Sequence, residues 1–160
     1  MSYEQLDVSK ALSHFSHPVA IISVRNGDEV NGMTAAWVAQ TSIDPPIGYV
    51  SISPLRHTWD MMQKTEHFGV SVLGEGQERI AEIFGTKSGR DTNKFNTLGI
   101  DPYLGQEDVP LIPESVAAFV CRKMHTAEIG DHFAVFGEVI EAWKGPENKP
   151  LKWFRSKFDI

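Results

Sequence analysis

The sequence predicts a mainly β chain, a largely antiparallel barrel with a few short helices. Three observations carry that prediction. First, about six or seven short stretches either alternate apolar and polar residues or run apolar, as Val19-Ala20-Ile21-Ile22-Ser23-Val24 does, and Gly, Pro, Asn or Asp bound them. Second, hairpin-type turn signals join neighbouring stretches, Asn26-Gly27-Asp28 being the clearest, because Asn and Gly accept the positive φ of tight turns. Third, only three helical patterns occur and all are short, which fits antiparallel hairpins better than a parallel sheet.

Residues 4–15 read as a helix with Val8, Leu12 and Phe15 on one face and Leu6 and Ala11 nearby. Ser2, three residues before Gln5, offers a capping box. Pro18 stops that helix and opens a strand over 19–24, and 29–34 returns after the turn. Pro45-Pro46 bends the chain into a strand over 47–52, with Ile47 and Tyr49 on one side and Val50 and Ile52 on the other. A short helix over 58–64 takes Thr58 as its N-cap. Residues 67–73 form a strand and 77–84 a helix with Ile80, Ile83 and Phe84 on one face. The polar, glycine-containing stretch 85–105 reads as a long loop, and long loops in compact domains usually carry function. Two β-prone runs, 116–125 and 133–143, meet at a turn on Glu128-Ile129-Gly130-Asp131, and 151–154 adds a last short strand. With no repeat, low-complexity tract or linker, residues 1–160 are expected to form a single domain.

Composition narrows the function classes. Hydrophobic residues make up 41% and charged residues 22%, ordinary for a globular protein. A net charge of −6 with no strongly basic stretch argues against a nucleic-acid binder, and it makes local basic clusters more informative. The lone Cys121 excludes an intrachain disulfide and reads as a buried structural thiol. The start, MSYEQLDVSK, lacks the basic and apolar parts of a signal peptide, and no apolar run approaches the roughly 20 residues of a membrane span. A cytoplasmic location without membrane partners is the expectation.

Several motifs fail on inspection. Gly74-Glu75-Gly76 follows a strand and precedes a helix, but Arg79 takes the place of the third glycine of a dinucleotide fingerprint, and Glu75 and Glu78 would repel a pyrophosphate. Gly85-Thr86-Lys87-Ser88 lacks the spacing of a P-loop. The histidines at 14, 17, 57, 67, 125 and 132 show no metal-ligand spacing, so no metal is expected, and no nucleophile elbow supports a hydrolase triad. What remains is the stretch 31–58. Its small residues Thr34, Ala35 and Ala36 would let a flat ring lie against the backbone. Arg56, His57 and Thr58 stand at a predicted helix start, where amides and a forked Arg donor suit a phosphate. Lys87, Ser88, Arg90 and Lys94 in the long loop extend that basic and hydroxyl set. A solvated surface with a helix cap is the plainer reading of the same residues. Trp37 is either core or a wall of the ring slot, and His132 either a turn residue or part of the site.

In order along the chain, Asn31-Gly32-Met33-Thr34-Ala35-Ala36-Trp37, Ser42-Ile43-Asp44-Pro45-Pro46, Arg56-His57-Thr58, Lys94-Phe95, Gly130-Asp131-His132 and Gly137-Glu138-Val139, closing with Pro150-Leu151, resemble the flavin reductase-like family. These FMN-binding split β-barrels include flavoredoxins, ferric-chelate reductases and the reductase components of two-component monooxygenases. The resemblance implies a homodimer with FMN near the interface, FAD being possible. Met33, Thr34, Ala35, Ala36 and Trp37 would line the isoalloxazine and ribityl chain. Ser51, Ser53, Arg56 and Thr58 would serve the phosphate with Ser88, Arg90 and Lys94. His132 would be the catalytic-site residue, beside the ring where a nicotinamide stacks. The implied activity is hydride transfer from NADH or NADPH to the flavin, with electrons passing to free flavin, a ferric chelate, oxygen or a protein acceptor. A flavoredoxin-like electron carrier and a non-catalytic flavin binder are the alternatives. The few residues after Pro150 leave little chain for a dedicated adenine pocket.

Overall fold

A computed structural model describes residues 2–155 and 157–159. Its strands are β1 (His17–Pro18), β2 (Ala20–Asn26), β3 (Glu29–Ala35), β4 (Val38–Ser42), β5 (Ile47–Ile52), β6 (His67–Val72), β7 (Tyr103–Leu104), β8 (Pro110–Leu111), β9 (Ala117–Ile129), β10 (His132–Lys144), β11 (Lys152–Phe154) and β12 (Lys157–Asp159). Its α-helices are α1 (His57–Met62), α2 (Glu78–Thr86) and α3 (Lys94–Leu98). Seven strands form one antiparallel sheet in the order β3-β2-β6-β9-β10-β5-β4, so the mainly β, antiparallel expectation holds. The two edges of that sheet, β3 and β4, follow one another in the chain. The sheet therefore turns back on itself at residues 36–37, where Ser51 N donates to Trp37 O at 3.0 Å.

Two hairpins obey the turn chemistry. Asn26 pairs with Glu29 and Ile129 with His132, each across a two-residue loop whose first member is a glycine at φ near 60°. A side chain there would be strained, so Gly27 and Gly130 fix the registers that place β3 and His132.

Strand β2 is buried along both faces, which explains its apolar run, broken only by Ser23, whose hydroxyl donates to Pro110 O. Ile22 and Val24 join Val50, Ile52, Phe68, Val70 and Val135 in one cluster, capped by Trp59, Met61 and Met62 of α1. Trp59 stacks on Phe133 with ring centroids 4.3 Å apart. Ile21 points the other way, into a second cluster with Leu73, Ala81, Phe84, Phe95 and Leu151. A period of two along the strand gives each face its own core. Burying a side chain such as Phe84 stabilises by about 1.5–3 kcal/mol, so the α2 contact is well anchored. Cys121 is buried as read, and burial pushes its thiol up to about 12. No helix among the described residues is long and apolar enough to cross a membrane.

Several elements differ from the sequence expectation. The N-terminal helix is a 3-10 helix, Val8–His14, capped by Asp7 Oδ1, which accepts from Ser9 N at 2.9 Å, and not by a Ser2 box. It buries nothing: Val8 and Leu12 within it and Phe15 at its C-cap are exposed. Helix α1 begins one residue earlier than expected; Arg56 is its N-cap with no side-chain cap bond, and Thr58 lies inside the helix, buried. Strand β4, Val38–Ser42, lies where the sequence predicts no strand. The stretch 85–105 is not all loop: α3 occupies part of it, with Asn93 Oδ1 accepting from Asn96 N at 3.1 Å and Gly99 ending it at φ 65°. At the C-terminus β11 pairs with both β1 and β12, a small sheet rather than one strand.

Candidate functional site

Two adjoining clefts that share Met33 and Arg56 gather the residues singled out from the sequence. The first, about 590 Å³, is lined by Met33, Thr34, Ala35, Ala36 and Trp37 on one side and by Ser51, Ser53 and His132 on the other, with Trp153 at its rim. The end of β3 supplies the ledge. Ala35 is buried and Ala36 half-buried, and neither projects beyond Cβ, so a flat group meets nearly bare backbone there. Trp37 is 48% exposed, so it is a wall and not core. Its ring centroid lies 4.9 Å from that of His132, tilted by 50°. Asp131 Oδ1 lies 2.7 Å from His132 Nδ1, and that contact holds the Asp131 carboxyl below its ordinary range. Nδ1 is thereby engaged, while Nε2 has no partner among the described residues.

The second cleft, about 460 Å³, lies between the start of α1, the end of α2 and residues 86–90. Thr58, Ser88, Arg90 and Lys94 line it together with Arg56, and so do Asn31, His57, Lys87 and Gly89. Their states differ. Arg56 donates from Nη1 to Gly85 O at 3.4 Å, and among the described residues no carboxylate pairs with Arg56 or Lys87. Thr58 Oγ1 accepts from Asn31 Nδ2 at 3.2 Å, which leaves its hydroxyl proton for another acceptor. Ser53 Oγ accepts from Leu55 N at 3.3 Å and Ser88 Oγ from Arg90 N at 3.2 Å.

Three basic groups are already engaged. Arg90 Nη2 donates to Asp60 Oδ2 at 2.5 Å and Nη1 to Leu55 O at 3.4 Å; the Arg90 contact is the main reason the Asp60 carboxyl sits below its usual range. His57, expected to face a phosphate, instead places Nε2 2.6 Å from Glu29 Oε1, with Nδ1 3.6 Å from Asp60 Oδ2. Lys94 is buried, 4% exposed, and its Nζ donates to Gly32 O at 2.6 Å and Phe84 O at 3.2 Å. Burial first, and the nearby Arg56 charge second, push it down to about 8. It is a post tying β3 to α2 that also borders the cleft.

Asn31 stood in the stretch singled out from the sequence but without a role of its own, and Gly89 and Trp153 were missed. Gly89 had a readable signal, a glycine in a polar loop. A Cβ there would run into the Asn31 side chain, so only glycine lets the loop close against β3. Trp153 had none, because its position depends on the β1–β11 pairing. A larger hollow of about 720 Å³ under β4 and β5 is almost wholly apolar and is lined by no Lys, Arg, His, Asp or Glu. The two clefts together offer a small-residue ledge that fits a planar ring and, next to it, hydroxyls and the two cations Arg56 and Lys87, which suit an anion.

Residues 12–160 match the family model described as flavin reductase like domain. The chain is 29% identical over 157 residues to an NADH:riboflavin 5′-phosphate oxidoreductase of Streptomyces pristinaespiralis, covering 92% of this chain and 83% of that one. It is 26% identical to the reductase component of a 4-nitrophenol 4-monooxygenase/4-nitrocatechol 2-monooxygenase of Rhodococcus opacus, covering 97% and 80%. Among solved structures, the NADH:FAD oxidoreductase of Streptomyces globisporus C-1027 in complex with NAD and FAD fragments superimposes with a TM-score of 0.88 at 29% identity, covering 99% of this chain and 96% of that one.

Proposed function

The chain belongs to the flavin reductase-like domain family, and from that premise we propose that it is an NAD(P)H-dependent flavin reductase. FMN, with FAD as the other flavin admitted, supplies the hydride acceptor and electron store when bound. The chain's own residues bind and orient. Backbone groups and small side chains of Met33, Thr34, Ala35, Ala36 and Trp37 hold the ring. Ser51, Ser53, Arg56 and Thr58 serve the phosphate, with Ser88, Arg90 and Lys94 around it. His132, oriented by Asp131 through Nδ1, borders the face where the nicotinamide stacks. Hydride transfer needs no proton moved by the protein, so the reading does not require His132 and Asp131 to act as an acid–base pair.

The observation that carries this reading is the convergence of all these residues, distant in sequence, on two clefts joined at Met33 and Arg56. Residues 1–160 then act as a single split-barrel domain, open between β3 and β4. A homodimer is part of the proposal: β4 is an unpaired edge, Trp37 stands exposed beside the ledge, and Ile43 is 84% exposed. Cytoplasmic work is also proposed, with electrons passed to free flavin, a ferric chelate, oxygen or an oxygenase component.

The test is spectroscopic. The purified protein, loaded with FMN and made anaerobic, is expected to lose its yellow absorbance on adding NADH or NADPH at a rate matching steady-state turnover. Flavin that stays oxidised with both donors leaves an electron carrier, and no flavin binding at all ends the proposal.

A further inference from the structure

Another hollow, about 610 Å³, opens between β7, the turn at 112–115 and the end of β10. It shares no lining residue with the ring cleft or the anion cleft. Tyr103 reaches it through the pairing of β7 with Leu111, and Trp143 through the pairing of β10 with Ala118. Their rings meet edge to face, centroids 5.1 Å apart at 71°, and Leu111, Ile112 and Pro113 extend the apolar wall. A Cβ at Gly145 would collide with Ser115 O, so glycine is what lets the end of β10 meet the turn. Two charged side chains border the hollow, and their states differ. Lys144 Nζ lies 2.8 Å from Glu147 Oε1, so that cation is engaged. Glu114 is exposed and makes no hydrogen bond or ion pair among the described residues. It stands at φ 59°, a left-handed conformation that suits glycine or asparagine and strains a glutamate. Such strain gathers where a side chain is put to use. Ser115, 3% exposed, donates its hydroxyl proton to Ile112 O at 2.9 Å and keeps its lone pairs as acceptors.

We propose that this hollow is a separate ligand site for an organic ammonium ion, its apolar body on Trp143 and Tyr103 and its charge against Glu114. The inference stands apart from the flavin reductase reading. Aromatic faces carry the negative end of the ring quadrupole and attract cations, and an open carboxylate beside them adds to that attraction. An anion would meet Glu114 unscreened, because Lys144 is already engaged. A neutral apolar ligand would fit the walls but leave the Glu114 carboxylate and its conformation without a use. A free amine and a lysine side chain presented by another protein share this chemistry, and the experiment separates the two.

The experiment titrates the whole protein by calorimetry with 2-phenylethylammonium, neutral 2-phenylethanol, anionic phenylacetate and an end-blocked Gly-Lys-Gly peptide. The ammonium is expected to bind about fivefold more tightly than the alcohol, the combined worth of one exposed ion pair and one exposed cation–π contact. Phenylacetate should bind most weakly, and high salt should shrink the preference for the cation. Glu114→Gly relieves the strained turn, so it is expected to keep or raise the melting temperature while making the ammonium and the alcohol bind alike. That pairing of outcomes cannot come from misfolding. Glu114→Gln should equalise the two probes in the same way. Trp143→Ala is expected to weaken both severalfold and Trp143→Phe to restore most of the loss, with FMN affinity unchanged throughout. Tighter binding of the peptide than of the free amine assigns the cation to a partner's lysine, and the reverse order assigns it to a small amine. Equal binding of ammonium and alcohol to the unaltered protein would overturn the proposal. A preference that survives Glu114→Gly, or no binding of either cation at millimolar concentration, would do the same.

Discussion

Replacing Lys94 by methionine removes a buried ammonium but keeps an unbranched side chain of similar reach. The folded-state value is about 8 against 10.5 for an ordinary lysine. Between those two pH values the unfolded chain holds a proton that the folded chain has released. The unfolding free energy therefore rises with pH across that window, as burial of the charge ceases to be penalised. The 2.5-unit gap, 10.5 minus 8, sets an upper limit of about 3 kcal/mol, of which about 2 kcal/mol is gained by pH 9.5. At pH 7 the variant also loses two charge-assisted hydrogen bonds, to Gly32 O and Phe84 O, each worth about 1.5–3 kcal/mol before the relieved burial offsets them. Urea unfolding of both proteins at pH 7, 8.5 and 9.5, with a reductant to protect Cys121, reads the difference directly. Subtraction cancels the contributions of the other titrating groups, which both proteins share. The stability gap is expected to widen by about 2 kcal/mol from pH 7 to 9.5. A constant or shrinking gap would mean that Lys94 titrates like a surface lysine. Saturating FMN should flatten the slope, because a phosphate beside Lys94 raises its value again.

Two further outcomes test the anion cleft. Arg56→Ala is expected to weaken FMN binding about 10- to 100-fold, the worth of a charge-assisted hydrogen bond, and riboflavin binding far less, since riboflavin has no phosphate. Equal losses in calorimetric titrations would remove Arg56 from the phosphate role. Asp60→Asn frees the Arg90 guanidinium from its 2.5 Å partner and is expected to tighten FMN severalfold with the melting temperature unchanged. Unchanged or weaker FMN binding would make Arg90 a strut between the loop and α1, not a ligand.

Much of the fold could be read from the chain because its signals were local. Asn26-Gly27 and Gly130 forced hairpins, and the two-sided apolar run of β2 forced burial on both faces. What escaped was set by tertiary contacts. Strand β4, Val38–Ser42, is mostly exposed and owes its conformation to the ladder with β5, so its side chains carry no alternation. Helix α3 was legible in principle through Asn93 and Gly99, but its five residues show too little apolar periodicity against a polar stretch. At the site, the ledge was legible because small residues in a row are conspicuous. The partners of His57 and Arg90 were not, because Glu29 and Asp60 reach them only across the folded chain.

That pairing decides what the anion cleft can hold. Five basic side chains border it, and counting them alone would suggest a strongly cationic pocket. Glu29 and Asp60 engage His57 and Arg90, and backbone carbonyls engage Lys94. Of the five, only Arg56 and Lys87 have neither a carboxylate partner among the described residues nor a buried ammonium tied to two carbonyls. Two open cations beside the hydroxyls of Thr58 and Ser88 match one phosphate monoester, which carries about −1.5 to −2 charge near pH 7. The two strongly perturbed titrating groups, Lys94 and Cys121, owe their shifts first to burial and not to proton-transfer chemistry. Groups tuned for proton transfer are the usual mark of an active site. A site built to hold a cofactor that does its own chemistry carries a different one, bare backbone for the ring and uncompensated charge for the phosphate.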